Sequence, residues 1–177
     1  MNGVGKNVRI TMRLAGAMLL VCFALVACQR QQEPLSAGRI APDFRAVDLT
    51  GRTFYLNAEL KLPVVLTFFA TWCAPCRDEM PLLSEVQRRF AGRATILCVV
   101  VDPENADRVR SMVSGLNMPY PFLLDEGLHT MQAYGVRALP ATFVIGVDGR
   151  IRSTFQVFGE DEKRALIDLL TRLTGES

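Results

Sequence analysis

Two apolar runs constrain this chain more than anything else in it: "PVVLTFFA" (63–70) and "ATILCVVVD" (94–102). Both are continuous and rich in β-branched and aromatic residues, the signature of strands buried on both faces. Between them, "CRDEMPLLSEVQRRFAG" repeats apolar residues at helical spacing through Met80, Leu83, Val86 and Phe90, and Gly92 suits the helix's C-terminal end. Upstream, "DFRAVDL" and "TFYLN" alternate about "TGR" as a hairpin does. Downstream, "ADRVRSMVSGLN" reads as a helix, "PYPFLLD" as an extended segment and "LHTMQAYGV" as another helix. "ATFVIGVDGRIRSTFQV" reads as two strands about Asp148-Gly149, and "EDEKRALIDLLTRLTG" as an amphipathic helix whose first-turn acids complement its dipole. This order predicts an α/β sandwich, with parallel central strands, an antiparallel edge and an added N-terminal hairpin. Ligand chemistry in such sheets gathers at the carboxyl ends of the strands.

The 177 residues allow one domain with a substantial core. Residues 1–27 are set apart from it: Lys6, Arg9 and Arg13 precede "LAGAMLLVCFALVA", a run too short for the roughly 20 residues of a membrane-spanning helix. That pattern is a secretory signal. Its end, "LVAC", looks like a lipobox, which makes Cys28 the lipid-bearing first residue of the mature protein; a plain signal peptide or an uncleaved anchor are the alternatives. Several acyl chains suffice for stable anchoring to a membrane. Gln29 stands where an aspartate signals inner-membrane retention in Gram-negative lipoproteins, which favours the outer membrane over the inner. Residues 28–38, "CQRQQEPLSAG", lack a hydrophobic period and read as a flexible tether, leaving 39–177 as the folded domain. Without the three cations of the signal, 17 basic residues face 18 acidic ones, and no basic stripe remains for nucleic acid.

Export permits disulfides to persist. With Cys22 lost in the signal and Cys28 lipidated, Cys73, Cys76 and Cys98 remain. Ala70, Thr71 and Trp72 turn the chain out of a strand, and Pro75 fits a first helical turn. Cys73 therefore belongs at the helix N-terminus, where unpaired N–H groups favour a thiolate and lower a thiol pKa from about 8.5 to between roughly 3.5 and 7.5. Cys76, one turn further in, is better shielded, and its spacing suits a disulfide. As a structural staple, a disulfide three residues apart closes too small a loop to stabilise much. As a metal site the pair lacks ligands, since only Cys98 and His129 could join it. Cys98 reads as a small core residue inert by burial, and His129 as a surface or packing residue.

"FFATWCAPC" together with "GVRALPATFVIGVDGRI" resembles the thioredoxin fold, and specifically the TlpA/ResA-like branch of membrane-tethered thiol–disulfide oxidoreductases. The resemblance runs from about Ile40 to the C-terminus. It implies a thioredoxin-like three-layer sandwich, a mixed sheet with helices on both faces. It also implies that Pro140 is a cis-proline opposite the disulfide, and that Leu139 presents its backbone to the substrate chain, with Trp72 and Pro75 shaping the same surface. Pro81, five residues after Cys76, should kink the helix.

In such proteins the Cys73 thiolate attacks a substrate disulfide and Cys76 resolves the mixed disulfide, with no cofactor beyond the Cys73–Cys76 couple. Thioredoxins carry a buried acid six residues before the first cysteine, to take up the proton of the second. Here that residue is Thr67, and Asp102 and Glu104 become the candidate proton acceptors; "DPEN" is otherwise a solvated loop with Asp102 as a helix cap. The family implies a disulfide reductase of the bacterial cell envelope facing the periplasm. Its partners are protein disulfides, such as those of apocytochrome c or copper-delivery proteins, and a membrane thiol-electron donor of the DsbD/CcdA type. Two rivals share the fold. An SCO-like copper assembly factor wants a CxxxC and a later histidine than His129. A peroxiredoxin wants its threonine three residues before the cysteine, whereas Thr71 stands two before Cys73.

Overall fold

The computed structural model describes residues 35–114 and 118–175. The expected signal at 1–27, the lipidation site Cys28 and most of the expected tether lie outside the described residues. So do 115–117, the tail of one expected helix.

Seven strands form one sheet. In chain order they are β1 (Arg45–Asp48), β2 (Thr53–Tyr55), β3 (Val64–Phe69), β4 (Thr95–Val100), β5 (Phe122–Leu124), β6 (Ala141–Ile145) and β7 (Ile151–Phe155). The helices are α1 (Leu56–Glu59), α2 (Ala74–Arg89), α3 (Ala106–Ser114), α4 (His129–Ala133) and α5 (Glu160–Leu173), with 3₁₀ turns at Pro103–Asn105 and Glu126–Leu128. Across the sheet the order is β2-β1-β5-β4-β3-β6-β7. β3 and β4 run parallel, as do β4 and β5, while β6 lies antiparallel to β3, and β7 to β6. The N-terminal hairpin joins the sheet through β1, which pairs antiparallel with β5.

Every residue of β3 is buried, as the unbroken apolar run requires. Side chains alternate along a strand, and two neighbours on β3 show the layers. Thr67 hydrogen-bonds to Glu79 on α2, whereas Phe68 packs on Tyr134 at the end of α4, with ring centroids 5.7 Å apart. Hence α2 and α4 cover opposite faces. α5 lies on α2's side, joined to it by Lys163 and Glu85 at 2.9 Å.

Both tight hairpins use one turn. In 48–52 and 146–150 the first residue's N–H bonds the fifth residue's carbonyl (Asp48 to Arg52, Gly146 to Arg150), and the fourth residue's N–H returns to the first (Gly51 to Asp48, Gly149 to Gly146). The fourth is a glycine at positive φ, 89° in Gly51 and 73° in Gly149. This is the three-residue turn that ends in a left-handed bulge residue, where glycine escapes the Cβ clash.

α2 runs through Pro81 to Arg89, the proline removing one intrahelical bond inside the helix. The expected tether is corrected at its end: it stops sooner than residue 38, because Leu35 N–H bonds Tyr134 O at 3.4 Å and Gly38 N–H bonds Ile151 O at 2.8 Å. Backbone pairing of this kind needs no hydrophobic period, so the sequence pattern did not announce it. Among the described residues, no helix is long and apolar enough to cross a membrane.

Candidate active site

β3 ends at Phe69, and four residues later Cys73 caps the N-terminus of α2 with an extended backbone, φ −81° and ψ 100°. Its sulfur accepts a hydrogen bond from the Cys76 backbone N–H at 3.2 Å. That donor is one of the four that a helix start leaves unpaired, so the helix itself provides an electropositive seat for Cys73 Sγ. Cys73 and Cys76 form a disulfide with a Cα–Cα distance of 5.3 Å. Cys73 is 4% exposed and Cys76 fully buried, so an incoming group reaches Cys73 first. Pro75, at the start of the helix, and Ala74 are exposed, and Trp72 projects into solvent at 68% exposure.

The loop holding Trp72 and Cys73 is anchored at Thr71. Asp102, buried just beyond β4, accepts from Thr71 N–H with both oxygens at 3.1 Å and from Thr71 Oγ1 at 2.5 Å. Arg77 Nη1 donates to the Thr71 carbonyl at 3.1 Å. All three polar groups of Thr71 are thereby engaged.

The strand register brings the cis-proline loop to the same end of the sheet. Ala141, first in β6, faces Phe68 of β3, and the Phe68 carbonyl lies 4.0 Å from Cys76 Sγ. Pro140 immediately precedes Ala141 and is buried, its bond to half-buried Leu139 is cis, and Leu139 stands next to the exposed Ala138.

The two acids expected as proton acceptors both follow β4 in the chain. Asp102 has its oxygens committed to Thr71 and to Asn105 Nδ2 at 3.3 Å, and Glu104 is exposed, its Oε1 accepting from Asn105. The buried acid that sequence reasoning missed is Glu79. It is 1% exposed, lies one helical turn beyond Cys76 on the inward face of α2, and accepts on Oε1 from Thr67 Oγ1 at 2.8 Å. Its Oε2 is buried without a partner among the described residues. Burial pushes its carboxyl up to about 7, against the Thr67 hydrogen bond, which favours the anion. A signal was available: Glu79 interrupts the inward stripe of Cys76, Met80, Leu83 and Val86, and residues three and four apart share one face of a helix.

Cys98 on β4 is a free, buried thiol, pushed well up first by burial and then by the charge of Glu79, in keeping with an inert core residue. His129 is exposed at the start of α4. Among the described residues, no three His, Cys, Asp or Glu side chains gather as metal ligands.

A family model described as the AhpC/TSA family matches residues 37–154. The thiol-disulfide oxidoreductase ResA of Bacillus thuringiensis (strain Al Hakam) is 30% identical over 143 residues, 81% of this chain and 82% of that protein. Among solved structures, a candidate thiol:disulfide interchange protein DsbE from Chlorobium tepidum superposes with a TM-score of 0.73 at 27% identity, over 80% of this chain and 99% of that one. The pneumococcal exposed lipoprotein thioredoxin Etrx1 from Streptococcus pneumoniae strain TIGR4 gives 0.64 at 26% identity, over 75% and 100%.

Proposed function

This chain belongs to the AhpC/TSA family, and from that premise we propose that it works as a disulfide reductase of the bacterial cell envelope, tethered by lipid on Cys28. The thiol–disulfide oxidoreductase activity itself follows from the Cys73–Cys76 pair and the ResA- and DsbE-like relatives. The observation that carries the reading is the seat of Cys73 Sγ on the Cys76 N–H at the head of α2, with Cys76 sealed behind it.

In the reductive direction the Cys73 thiolate attacks one sulfur of a substrate protein disulfide. The substrate S–S bond breaks, one substrate thiol leaves, and a mixed disulfide joins Cys73 to the other. Cys76 then gives its proton to Glu79 and attacks Cys73 Sγ, expelling the second substrate thiol and leaving the Cys73–Cys76 disulfide. Glu79 suits that role because it is the buried acid one turn from Cys76, ionises near neutral pH and has an oxygen without a partner. Thr67, where thioredoxins carry the acid, becomes the donor that holds it.

The exposed Trp72 and Pro75 and the half-buried Leu139, next to the buried cis-Pro140, are the residues we assign to meeting the substrate chain. A membrane thiol-electron donor of the DsbD/CcdA type restores the dithiol, and apocytochrome c or copper-protein thiols are fitting substrates. The couple is its own redox group, and the reading calls for no other cofactor. The lipid anchor rests on "LVAC" and finds support in a structural relative that is an exposed lipoprotein thioredoxin; Gln29 favours the outer membrane. Against a peroxidase, the Thr71 hydroxyl is bound to Asp102, and Cys73 is paired with a cysteine three residues away.

The deciding experiment is the reduction potential of the Cys73–Cys76 couple, equilibrated against glutathione and dithiothreitol and read by Trp72 fluorescence. A value near the thioredoxin end, about −270 mV, supports a reductant; one near about −120 mV, the DsbA end, makes the protein an oxidant and overturns the direction.

A further inference from the structure

Beneath α2 a chain of hydroxyls runs from β6 to the buried acid. Thr142 Oγ1 donates to Thr67 Oγ1 at 2.9 Å, and Thr67 Oγ1 donates to Glu79 Oε1 at 2.8 Å. Thr67 and Thr142 are direct cross-strand partners on β3 and β6, and all three residues are 1% exposed. The direction of the chain follows from its last member. An ionised carboxylate only accepts, and each hydroxyl has one proton. Thr67 therefore commits its proton to Glu79, and its contact with Thr142 can be made only with the proton of Thr142. Both threonines are β-branched and stiff at χ1, and they stand directly opposite each other across the two strands.

From this arrangement we propose that Thr142 is a positioning residue of the reaction: acting through Thr67, it keeps Glu79 Oε1 occupied so that Oε2 is the atom that takes the proton of Cys76. The proposal rests on Glu79 being the acceptor. It gives the motif "LPATF" two tasks on one strand. Leu139 and cis-Pro140 meet the substrate, and two residues later Thr142 holds the base that completes the reaction.

The surroundings keep the readout simple. Besides Cys76, the titratable groups that feel Glu79 among the described residues are Cys98 on β4, the register neighbour of Thr67, and Tyr120 ahead of β5; burial raises both, so both stay neutral while Glu79 titrates. α5 reaches α2 with Lys163, at the exposed Glu85.

The test uses the full chain in its oxidised form and follows single-turnover reduction of Cys73–Cys76 by dithiothreitol, with Trp72 fluorescence as reporter, at pH values on both sides of 7. In this direction Glu79 returns the proton to the departing Cys76 sulfur. The unmodified protein is expected to show a pH limb centred near the Glu79 value of about 7, which Glu79→Gln abolishes. Thr142→Val, of nearly equal shape, should shift that midpoint to higher pH and slow the step roughly 3- to 10-fold, the worth of one neutral hydrogen bond. Thr142→Ser should restore both. A midpoint unmoved in Thr142→Val, while Glu79→Gln still abolishes the limb, overturns this proposal alone. A limb that survives Glu79→Gln overturns the assignment of Glu79, and this proposal with it. Should the valine variant fail to fold, Thr142→Ala serves as the hydroxyl-free probe with the same two outcomes.

Discussion

Asp102 and Glu79 are both buried carboxylates near the carboxyl end of the central strands, 5% and 1% exposed, and they are held in opposite ways. Asp102 takes three hydrogen bonds from Thr71 and a fourth from Asn105, so both oxygens are engaged. Glu79 takes one bond on one oxygen and leaves the other bare. A buried acceptor without a partner costs about 1–3 kcal/mol, and a fold tolerates that where the group is needed for something else. The contrast separates an anchor from a working acid: Asp102 fixes the loop that presents Trp72 and Cys73, and Glu79 is left able to exchange a proton near pH 7.

Both acids serve thiol chemistry that enters through Cys73, and substitutions of the cysteines have the largest expected effect. Cys73→Ser should abolish reduction of insulin disulfides, while Cys76→Ser should retain the first attack and trap a mixed disulfide visible by mass spectrometry. Trapping on Cys76 in the Cys73→Ser variant instead would reverse the assigned roles.

Glu79→Gln comes next, and it separates the two acids most directly. Loss of a general base slows the assisted step by roughly 10²- to 10⁴-fold, so release of substrate from the mixed disulfide should slow on that scale while the first attack is spared. Stability should move the other way. A carboxyl raised from 4.5 to about 7 on folding holds more protons in the native state than in the unfolded chain between those values. Stability therefore falls as pH rises through that window, by about 3 kcal/mol in total. The glutamine variant lacks this slope, and urea midpoints at pH 4.5 and pH 8 should differ less in it than in the parent protein. Equal slopes in the two would mean that Glu79 ionises as an ordinary surface acid.

Asp102→Asn should give the complementary pattern. The amide points a donor where Thr71 also donates, and the expected cost is about 1–3 kcal/mol of stability. Turnover should drop modestly through a looser Trp72–Cys73 loop, with the pH midpoint near 7 retained. A lost midpoint in this variant would make Asp102 the proton acceptor after all.

This pair of acids also marks how far the sequence could be read. β3 and β4 were legible because strands covered on both faces read as near-continuous apolar, β-branched runs, and the seat of Cys73 because a CxxC behind a strand and ahead of a helix has one place to go. Thr67 was legible as the position of a missing acid. That its hydroxyl would serve an acid supplied by the facing helix was not, because the contact joins residues twelve apart in sequence and depends on how α2 lies over β3. Asp102 looked like a free carboxylate or a cap because its three bonds go to a residue thirty-one positions earlier. The insertion of β5 between β1 and β4 is likewise a long-range pairing that no local pattern announces.

Cys98 gives the smallest effect and shows what burial does without donors or a helix end. It shares the face of Thr67 under α2, yet burial and the nearby carboxylate drive its thiol well above its ordinary range, and it stays neutral where Cys73 is reactive. In the native, oxidised protein, iodoacetamide should leave the Cys98 peptide unmodified until denaturant is added. Cys98→Ala should lower stability by about 1 kcal/mol and leave the Glu79 midpoint unmoved. It should also flatten the alkaline side of the stability curve. Above about pH 8.5 the unfolded chain can lose the Cys98 proton while the native state keeps it, so the native state binds more protons and its stability falls as pH rises. Labelling of Cys98 in native protein at neutral pH would mean that the space under α2 opens, and that Glu79 meets solvent as well as Cys76.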